Sequence, residues 1–463
     1  MSMSFEQARV VLAQNGQVHL LDHWNRLSAV GKAGLLDQIA ELDLTGLSQM
    51  RETLRSVSGK TATHTDIEPA DVVELGGSEL AMARSVGEEA VRKGSVAVLL
   101  VAGGQGSRLG FEGPKGEFPI GPVSNVPLFS IHARKILGLE KKYGAKVPFY
   151  VMTSQANDAE TQRFFDQQQY FGLAPDRVRF FAQGMWPALW PDGRVVLDAP
   201  GHLFQSPDGH GGVLRALEQR GMFADMRKRG IQTVFYFQVD NPLVDIADPA
   251  FVGVHLQKRA DISVKVCTKR DAQEGLGVVV RKGGRDAVVE YTELTKEQKE
   301  ARRSDGRLRF LYGSVAIHVF SRGFLEREAA ARLPLHVAHK KVPYCDANGA
   351  TAQPDKPNAY KFEKFIFDVI PDADRSVNVA FAREDEFAPV KNASGNDSPD
   401  TCRAALTAKY ARWLELCGVK VPRDTAGNPG VRIELDPAFA LGADDLKAKL
   451  PNGYKVAGDV WLK

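Results

Sequence analysis

Arg108 and Lys115 bracket a glycine-rich turn, Gly103-Gly104-Gln105-Gly106-Ser107-Arg108-Leu109-Gly110, that runs on to Pro114-Lys115-Gly116. The turn directly follows an apolar run, VAVLLVA (96–102). Glycine weakens regular secondary structure, so a cluster of it behind a buried strand needs another reason. Without Cβ atoms, backbone N–H groups can come close to a phosphate or a base. A guanidinium and an ammonium on such a loop form a cationic cradle, suited to a triphosphate and to the charge that builds up as it reacts. The spacing excludes two common phosphate loops. A Walker A loop ends Gly-Lys-Ser/Thr, whereas Lys115 stands between Pro114 and Gly116. A dinucleotide fingerprint needs G-x-G-x-x-G, whereas Gly104-x-Gly106 reaches Leu109 in the last position and Gly110 comes one place late.

Other segments add chemistry. Asp240-Asn241 closes a second apolar run, TVFYFQVD (233–240) and the residue after it. A carboxylate at the carboxyl end of a strand can hold Mg²⁺, which takes oxygen ligands and substrate phosphates; the bland alternative is a turn residue or a helix cap. QSPDGHGGVLRAL places Gly209, His210, Gly211 and Gly212 ahead of a helix, an arrangement that suits backbone contacts with a sugar or phosphate. Lys361 and Lys391 lie in segments that read partly as loop, and each alone would pass for a surface lysine.

A frame must hold these residues. Short apolar runs at 96–102, 148–153, 178–183 and 233–240 alternate with stretches long enough for crossover helices, such as LFSIHARKILGLEKKYG (128–144). Near-continuous apolar strands joined by helices predict a parallel sheet covered on both faces. Ligands in such sheets bind beyond the carboxyl ends of the strands, where the glycine turn and Asp240 fall. Farther on, DISVKVCTK and GVVVRKGGRDAVVEYTEL alternate more, and Gly283-Gly284 marks a hairpin, so an antiparallel portion is expected. Residues 5–93 read as helical, with the polar GKTATHTDIEPADVVEL (59–75) as a linking segment. After REDEFAPVKNASGNDSPDT (383–401) comes a helix and then a proline-dotted tail. The expected organisation is a helical region over 1–93, a central α/β domain over 94–385 and a small C-terminal domain with β-structure over 386–463.

The 463 residues are enough for two or three domains. With 43% hydrophobic and 25% charged residues, the balance is that of a globular protein in water. A net charge of +3 without a basic run gives no nucleic-acid footprint. Cys267, Cys345, Cys402 and Cys417 are scattered, with no C-x-x-C pair, and read as free thiols. The first residues lack the form of a signal peptide, and no apolar stretch approaches the ~20 residues that cross a bilayer. A cytoplasmic protein with no membrane partner is expected.

In this order the segments LLVAGGQGSRLG, PKGEFPIG, FFAQGMWPAL, PDGHGG, VDNPLVDIADPAFVG, GVVVRKGG, VEYTEL, KPNAYKFEKFIFD and REDEFAPVKN resemble the eukaryotic-type UDP-sugar pyrophosphorylases, most of all their UDP-N-acetylglucosamine branch. The resemblance spans nearly the whole chain and is weakest over the last ~60 residues. It implies a nucleotidyltransferase (GT-A-like, Rossmann-type) mixed sheet with a helical N-terminal region and a small C-terminal β-domain. The implied reaction joins UTP and N-acetylglucosamine 1-phosphate to UDP-N-acetylglucosamine and pyrophosphate, with Mg²⁺. Position by position, Val101, Ala102, Gly103 and Gly104 match the start of the uridine-binding loop, and Arg108 and Lys115 the signature cations on the phosphates. Gln183 matches a uracil contact and Gly209 a further UTP contact. Asp240 matches the metal-binding acid, next to Asn241 on the substrate side. His210, Gly277, Glu290 and Ser314 match substrate or sugar positions; Lys361 and Lys391 match later lysines near the sugar phosphate and diphosphate. Two positions depart from the N-acetylhexosamine pattern: His210 replaces the usual Asn of DGNGG, and Ser314 replaces another Asn. Glucose, N-acetylgalactosamine or a broad range of sugar 1-phosphates therefore stay open. A glycosyltransferase is disfavoured, because Val-Asp-Asn stands where Asp-x-Asp would hold its metal and the Lys115 segment would go unexplained. A non-catalytic nucleotide-sugar sensor would not need Arg108, Lys115 and Asp240 together.

Overall fold

The structure, a computed structural model, describes residues 3–57, 66–74 and 76–463. It is mixed α/β, and the chain separates into two compact units, neither of them continuous in sequence.

The smaller unit is drawn from Met1–Ala62, Gly184–Gly212 and Arg332–Asp368. Its helices Phe5–Gln14 and Ala29–Glu41 begin at Ser4 and Ser28, whose hydroxyls accept from the N–H groups of Gln7 and Gly31. Their apolar stripes, with that of Leu44–Val57, bury Ala8, Leu12, Leu35, Ile39 and Leu47 against Trp186, Leu189, Leu203 and Phe362. Strands His336–Lys340 and Ala359–Glu363 pair antiparallel, with Ala338 opposite Lys361.

The larger unit takes Thr63–Gln183, Val213–Ala331 and Val369–Lys463. Its strands are β1 (Ile67–Pro69), β2 (Val96–Val101), β3 (Phe149–Thr153), β4 (Val178–Ala182), β5 (Thr233–Gln238), β6 (Ile262–Thr268), β7 (Val278–Lys282), β8 (Arg285–Val289), β9 (Tyr312–Ser321) and β10 (Ser376–Ala380). The helices that matter here are α1 (Gly77–Arg92), α2 (Leu128–Tyr143), α3 (Asp158–Gln167), α4 (Pro249–Gln257) and α5 (Pro399–Leu416). The strands form one sheet in the order β1-β7-β9-β5-β2-β3-β4, with β8 on β7 and β6 joining β9 to β10. β5, β2, β3 and β4 run parallel, and β9 pairs antiparallel with β5. The parallel half is covered on both faces, which is why β2 and β3 are apolar without alternation. The β7–β8 hairpin turns on Gly283 and Gly284, at φ 56° and 78°, with Lys282 opposite Arg285.

α1 and α4 cross with their backbones in contact. A Cβ on Gly87 would lie 1.8 Å from the Pro249 carbonyl oxygen, and one on Gly253 would lie 1.7 Å from that of Ala83. α4 also buries His255, whose Nδ1 lies 3.0 Å from Ser263 Oγ. Burial pushes its pKa down to about 4, with Asp261 opposing. The folded chain thus keeps His255 neutral while the unfolded chain protonates it below about 6.5. The linked stability is complete above that value and is lost as pH falls from 6.5 towards 4. His255→Gln should therefore flatten the fall in unfolding free energy between pH 6.5 and 5, by at most about 1.4 kcal/mol per pH unit, as read from denaturant melts. Equal pH slopes for variant and parent would contradict this.

One expectation from sequence is redrawn. The linking segment 59–75 contains a strand, β1, that adds to the edge of the sheet with Ile67 opposite Lys282 and Ile67 buried; residues 59–65 and 75 of that segment lie outside the described residues. The compact units also divide the chain differently from the boundaries at 93 and 385. Residues from 386 onward share the main core, where Leu406, Ala411 and Leu414 of α5 belong to the same cluster as Val98 and Val151. The β-structure in that tail is a parallel pair, Ile433–Leu435 with Val460–Leu462.

Candidate active site

Register decides which residues of the larger unit share an edge. Val101 lies opposite Gln238 in the parallel pair β2–β5, and the Val239 N–H donates to the Val101 carbonyl at 3.1 Å. The glycine turn and Asp240 therefore leave adjacent strands at the same edge. β3 and β4 end there too, with Thr153 opposite Ala182 and the Gln183 N–H donating to the Thr153 carbonyl at 2.9 Å. β9 runs the other way, so its early residues reach this edge. Its pairing with β6 shifts between Val264 and Val266, where Ala316 has φ 56°, an irregularity of the kind that re-aims side chains at sheet rims. Just before it, the Ser314 N–H donates to the Gly277 carbonyl at 2.9 Å. A Cβ on Gly277 would come within 3.2 Å of Glu290 Oε1, so Gly277, Glu290 and Ser314 are neighbours.

The glycine turn is built by close approach. A Cβ on Gly103 would lie 2.9 Å from Gln183 Nε2, so the Gln183 amide can reach the loop only because residue 103 has no side chain. The Lys115 N–H donates to the Gly104 carbonyl at 3.0 Å, and Gln105 bridges to Pro114, which folds the Pro-Lys-Gly segment back on the turn. Gly116 lies on the ring of Phe129 from α2, where a Cβ would be 2.1 Å from the ring edge. Arg108 is exposed on a short 3₁₀ turn anchored by buried Leu109, and Lys115 is half-buried. Among the described residues neither makes an ion pair, so both charges are available to a ligand. Sequence reasoning missed Asn157. Its buried amide donates to the Ala102 carbonyl at 3.0 Å and accepts from the Ser154 N–H at 2.8 Å, tying the loop after β2 to the loop after β3. Its only sequence signal was a polar residue shortly beyond the second strand's carboxyl end.

Asp240 is largely buried at 9% exposure, and its carboxylate makes no ion pair among the described residues. Its own carbonyl accepts from the Val390 N–H at 2.8 Å, which brings Lys391 next to it in the chain fold. Asn241, expected on the substrate side, has its amide engaged by protein at both ends: Nδ2 donates to the Glu386 carbonyl at 2.7 Å and Oδ1 accepts from the Ala388 N–H at 3.2 Å. Beneath this turn lie polar groups that the helical pattern of α2 concealed. His132 Nε2 lies 3.0 Å from the Val239 carbonyl oxygen, and the Lys135 ammonium donates to the carbonyls of Pro242 and Val244, both at 2.6 Å. Burial pushes His132 down to about 3, leaving it neutral, and pushes Lys135 down to about 7, with Lys409 as the next cause. Lys265, between Asp248 and Glu386, is also buried; desolvation works against its charge, but the two carboxylates outweigh that and leave its pKa raised.

The remaining candidates lie in the smaller unit. Gly209 adopts φ 85°, and a Cβ there would come within 2.5 Å of the Lys364 carbonyl oxygen. His210 Nδ1 accepts from the Ile366 N–H at 3.1 Å, and the ring stacks on Phe365 with centroids 5.1 Å apart. Burial, followed by nearby His336, pushes its pKa down to about 4. The ring is therefore neutral with its proton on Nε2, so its remaining polar edge is a donor. Lys361 lies over the ring of Phe204 at 4.8 Å, and burial lowers its pKa.

The donor set suits a hard divalent cation. Among the described residues no three His, Cys, Asp or Glu side chains gather as a ligand group, so an ion at Asp240 would take at most two such side chains from protein and the rest of its oxygens from phosphate and water. Among the described residues, no helix is long and apolar enough to cross a membrane.

The family model described as UTP–glucose-1-phosphate uridylyltransferase matches residues 49–427. A human protein named UDP-N-acetylhexosamine pyrophosphorylase-like protein 1 is 36% identical, covering 96% of this chain and 95% of its own length. The UDP-N-acetylglucosamine pyrophosphorylase of Saccharomyces cerevisiae is 33% identical over 93% of this chain and 94% of its own. The crystal structure of the uridine diphosphate N-acetylglucosamine pyrophosphorylase from Trypanosoma brucei superposes with a TM-score of 0.83 at 28% identity, covering 100% of this chain and 99% of that one. Matched over most of its length and sharing this fold, the chain belongs to the UTP–glucose-1-phosphate uridylyltransferase family.

Proposed function

We propose that the chain is a uridylyltransferase that forms UDP-N-acetylglucosamine and pyrophosphate from UTP and N-acetylglucosamine 1-phosphate. The observation that carries this is the juxtaposition at one sheet edge of an uncompensated Lys115 loop and an uncompensated Asp240 carboxylate, on the adjacent strands β2 and β5. Val101, Ala102, Gly103, Gly104 and Gln183 are assigned to uridine, Arg108, Lys115 and Lys391 to the phosphates, and Gly277, Glu290 and Ser314 to the sugar. Gly209, His210 and Lys361 take further UTP, substrate and sugar-phosphate contacts, on the resemblance. The sugar phosphate oxygen attacks the α-phosphorus of UTP in line with the departing pyrophosphate. This nucleophile is already anionic, so no general base is needed. The protein's task is to hold two repelling anions together and to meet the charge of the transition state with fixed cations. Asp240 would hold Mg²⁺, which when bound neutralises phosphate charge. The free cysteines suit action in a reducing cytosol.

The test is pyrophosphate release from UTP and Mg²⁺ over a panel of hexose and N-acetylhexosamine 1-phosphates, repeated with other nucleoside triphosphates. Preference for a plain hexose phosphate would move the chain to the second reading, transfer to glucose 1-phosphate, which the donor-only edge of His210 and the short hydroxyl of Ser314 favour. Restoring an amide should act on this balance. Ser314→Asn is expected to raise the kcat/KM ratio of N-acetylglucosamine 1-phosphate over glucose 1-phosphate about two- to tenfold, the worth of one neutral hydrogen bond. An unchanged ratio removes residue 314 from sugar selection.

A further inference from the structure

Asp240 stands at the start of a loop that has left the sheet, and its position therefore depends on what holds the loop's carbonyls. His132 meets the carbonyl of Val239, one residue before Asp240, at 3.0 Å, and Lys135 meets those of Pro242 and Val244, beyond it, both at 2.6 Å. Lys409 takes the Leu243 carbonyl at 3.1 Å, and the Val390 N–H takes that of Asp240 itself at 2.8 Å. His132 and Lys135 are buried, at 0% and 7% exposure, one turn apart on the same face of α2. That helix is otherwise a core element, and its Phe129 also underlies Gly116 of the Lys115 segment. One rigid helix thus touches the backbone beside both charged groups of the edge. An unassisted ammonium is costly to bury, and here it is aimed at two carbonyls of a single loop.

We propose that His132 and Lys135 are positioning residues that hold the Asp240 carboxylate where a nucleotide-bound divalent ion meets it. The proposal rests on the assignment of Asp240 to the metal. Side chains that orient a metal-binding carboxylate act on ion affinity more than on the affinity of the ligand alone.

The experiment uses the full chain without sugar phosphate, so that no turnover occurs. Calorimetry measures the Kd of UTP with Mn²⁺ and with EDTA, and the ratio of the two reports what the ion adds. His132→Phe and Lys135→Met should each shrink that ratio about tenfold, the low end for groups that support metal ligands, with metal-free UTP affinity held. His132→Gln and Lys135→Arg, which keep a donor, should recover part of it and serve where the harsher variants do not fold. His255→Gln, a buried histidine whose partner is Ser263, should lower the melting temperature without moving the ratio. Folded His132 and Lys135 variants that melt earlier but keep the parental ratio would overturn the proposal. Asp240→Asn separates the two levels: an unaltered ratio in that variant defeats the metal assignment itself and the positioning role with it.

Discussion

Lys115→Ala should lower turnover by two or more orders of magnitude while leaving the fold intact. The backbone at this position is held independently of its side chain, by the Lys115 N–H to the Gly104 carbonyl, the Gln105–Pro114 bridge and the seat of Gly116 on Phe129. The ammonium is half-buried and has no ion pair among the described residues, so truncation removes a charge that the folded protein does not use for itself. Loss of one fixed donor to transition-state charge typically costs ~2.7–4 kcal/mol of barrier. At 1.36 kcal/mol per factor of ten, that is about 100- to 1,000-fold in rate. Pyrophosphate release at saturating UTP and sugar phosphate measures it, with a thermal melt as the control. Near-parental turnover in a folded variant would remove Lys115 from the chemistry.

Asp240→Asn should be comparably severe, with a different signature. The amide has nearly the shape of the carboxylate, and the loop is tied down through the carbonyls of Val239, Asp240, Pro242 and Val244 rather than through this side chain. The variant should therefore fold. What disappears is a carboxylate charge at the carboxyl end of β5 that has no ion pair among the described residues, the charge that in the proposed reading would hold a divalent cation. Turnover is expected to fall about 100-fold or more, and to recover in part as the Mg²⁺ concentration is raised. Removal of a mere turn residue would leave the Mg²⁺ dependence of the rate as it was, and that result would count against the assignment.

The parallel half of the sheet was legible because both its faces are buried. The runs expected at 96–102, 148–153, 178–183 and 233–240 became strands 96–101, 149–153, 178–182 and 233–238, and the crossover helix expected over 128–144 spans Leu128–Tyr143. The glycine turn and Asp240 stood out because each directly follows a buried apolar strand, where glycine weakens regular structure and a carboxylate ends the apolar run. His132, Lys135 and Asn157 did not stand out. The partners of the first two are main-chain carbonyls of residues 107 and 109 positions away, and no local spacing registers a bond of that range. The engagement of Asn241 was equally invisible, since only the fold shows that Glu386 and Ala388 occupy its amide. β1 was lost in a polar segment because it is short and ends in Pro69. The division into two units escaped because compactness follows packing rather than chain order.

That interleaving bears on how the protein is made. The apolar faces of Phe5–Gln14, Ala29–Glu41 and Leu44–Val57 leave the ribosome well before the residues that cover them, Trp186, Leu189 and Leu203 and finally Phe362. At ~5–20 residues per second, translation leaves those helices waiting tens of seconds for their last partner. During synthesis the exposed stripes are a standing invitation to holding chaperones, and slowing elongation before residue 362 should lower the yield of native protein more than slowing it afterwards.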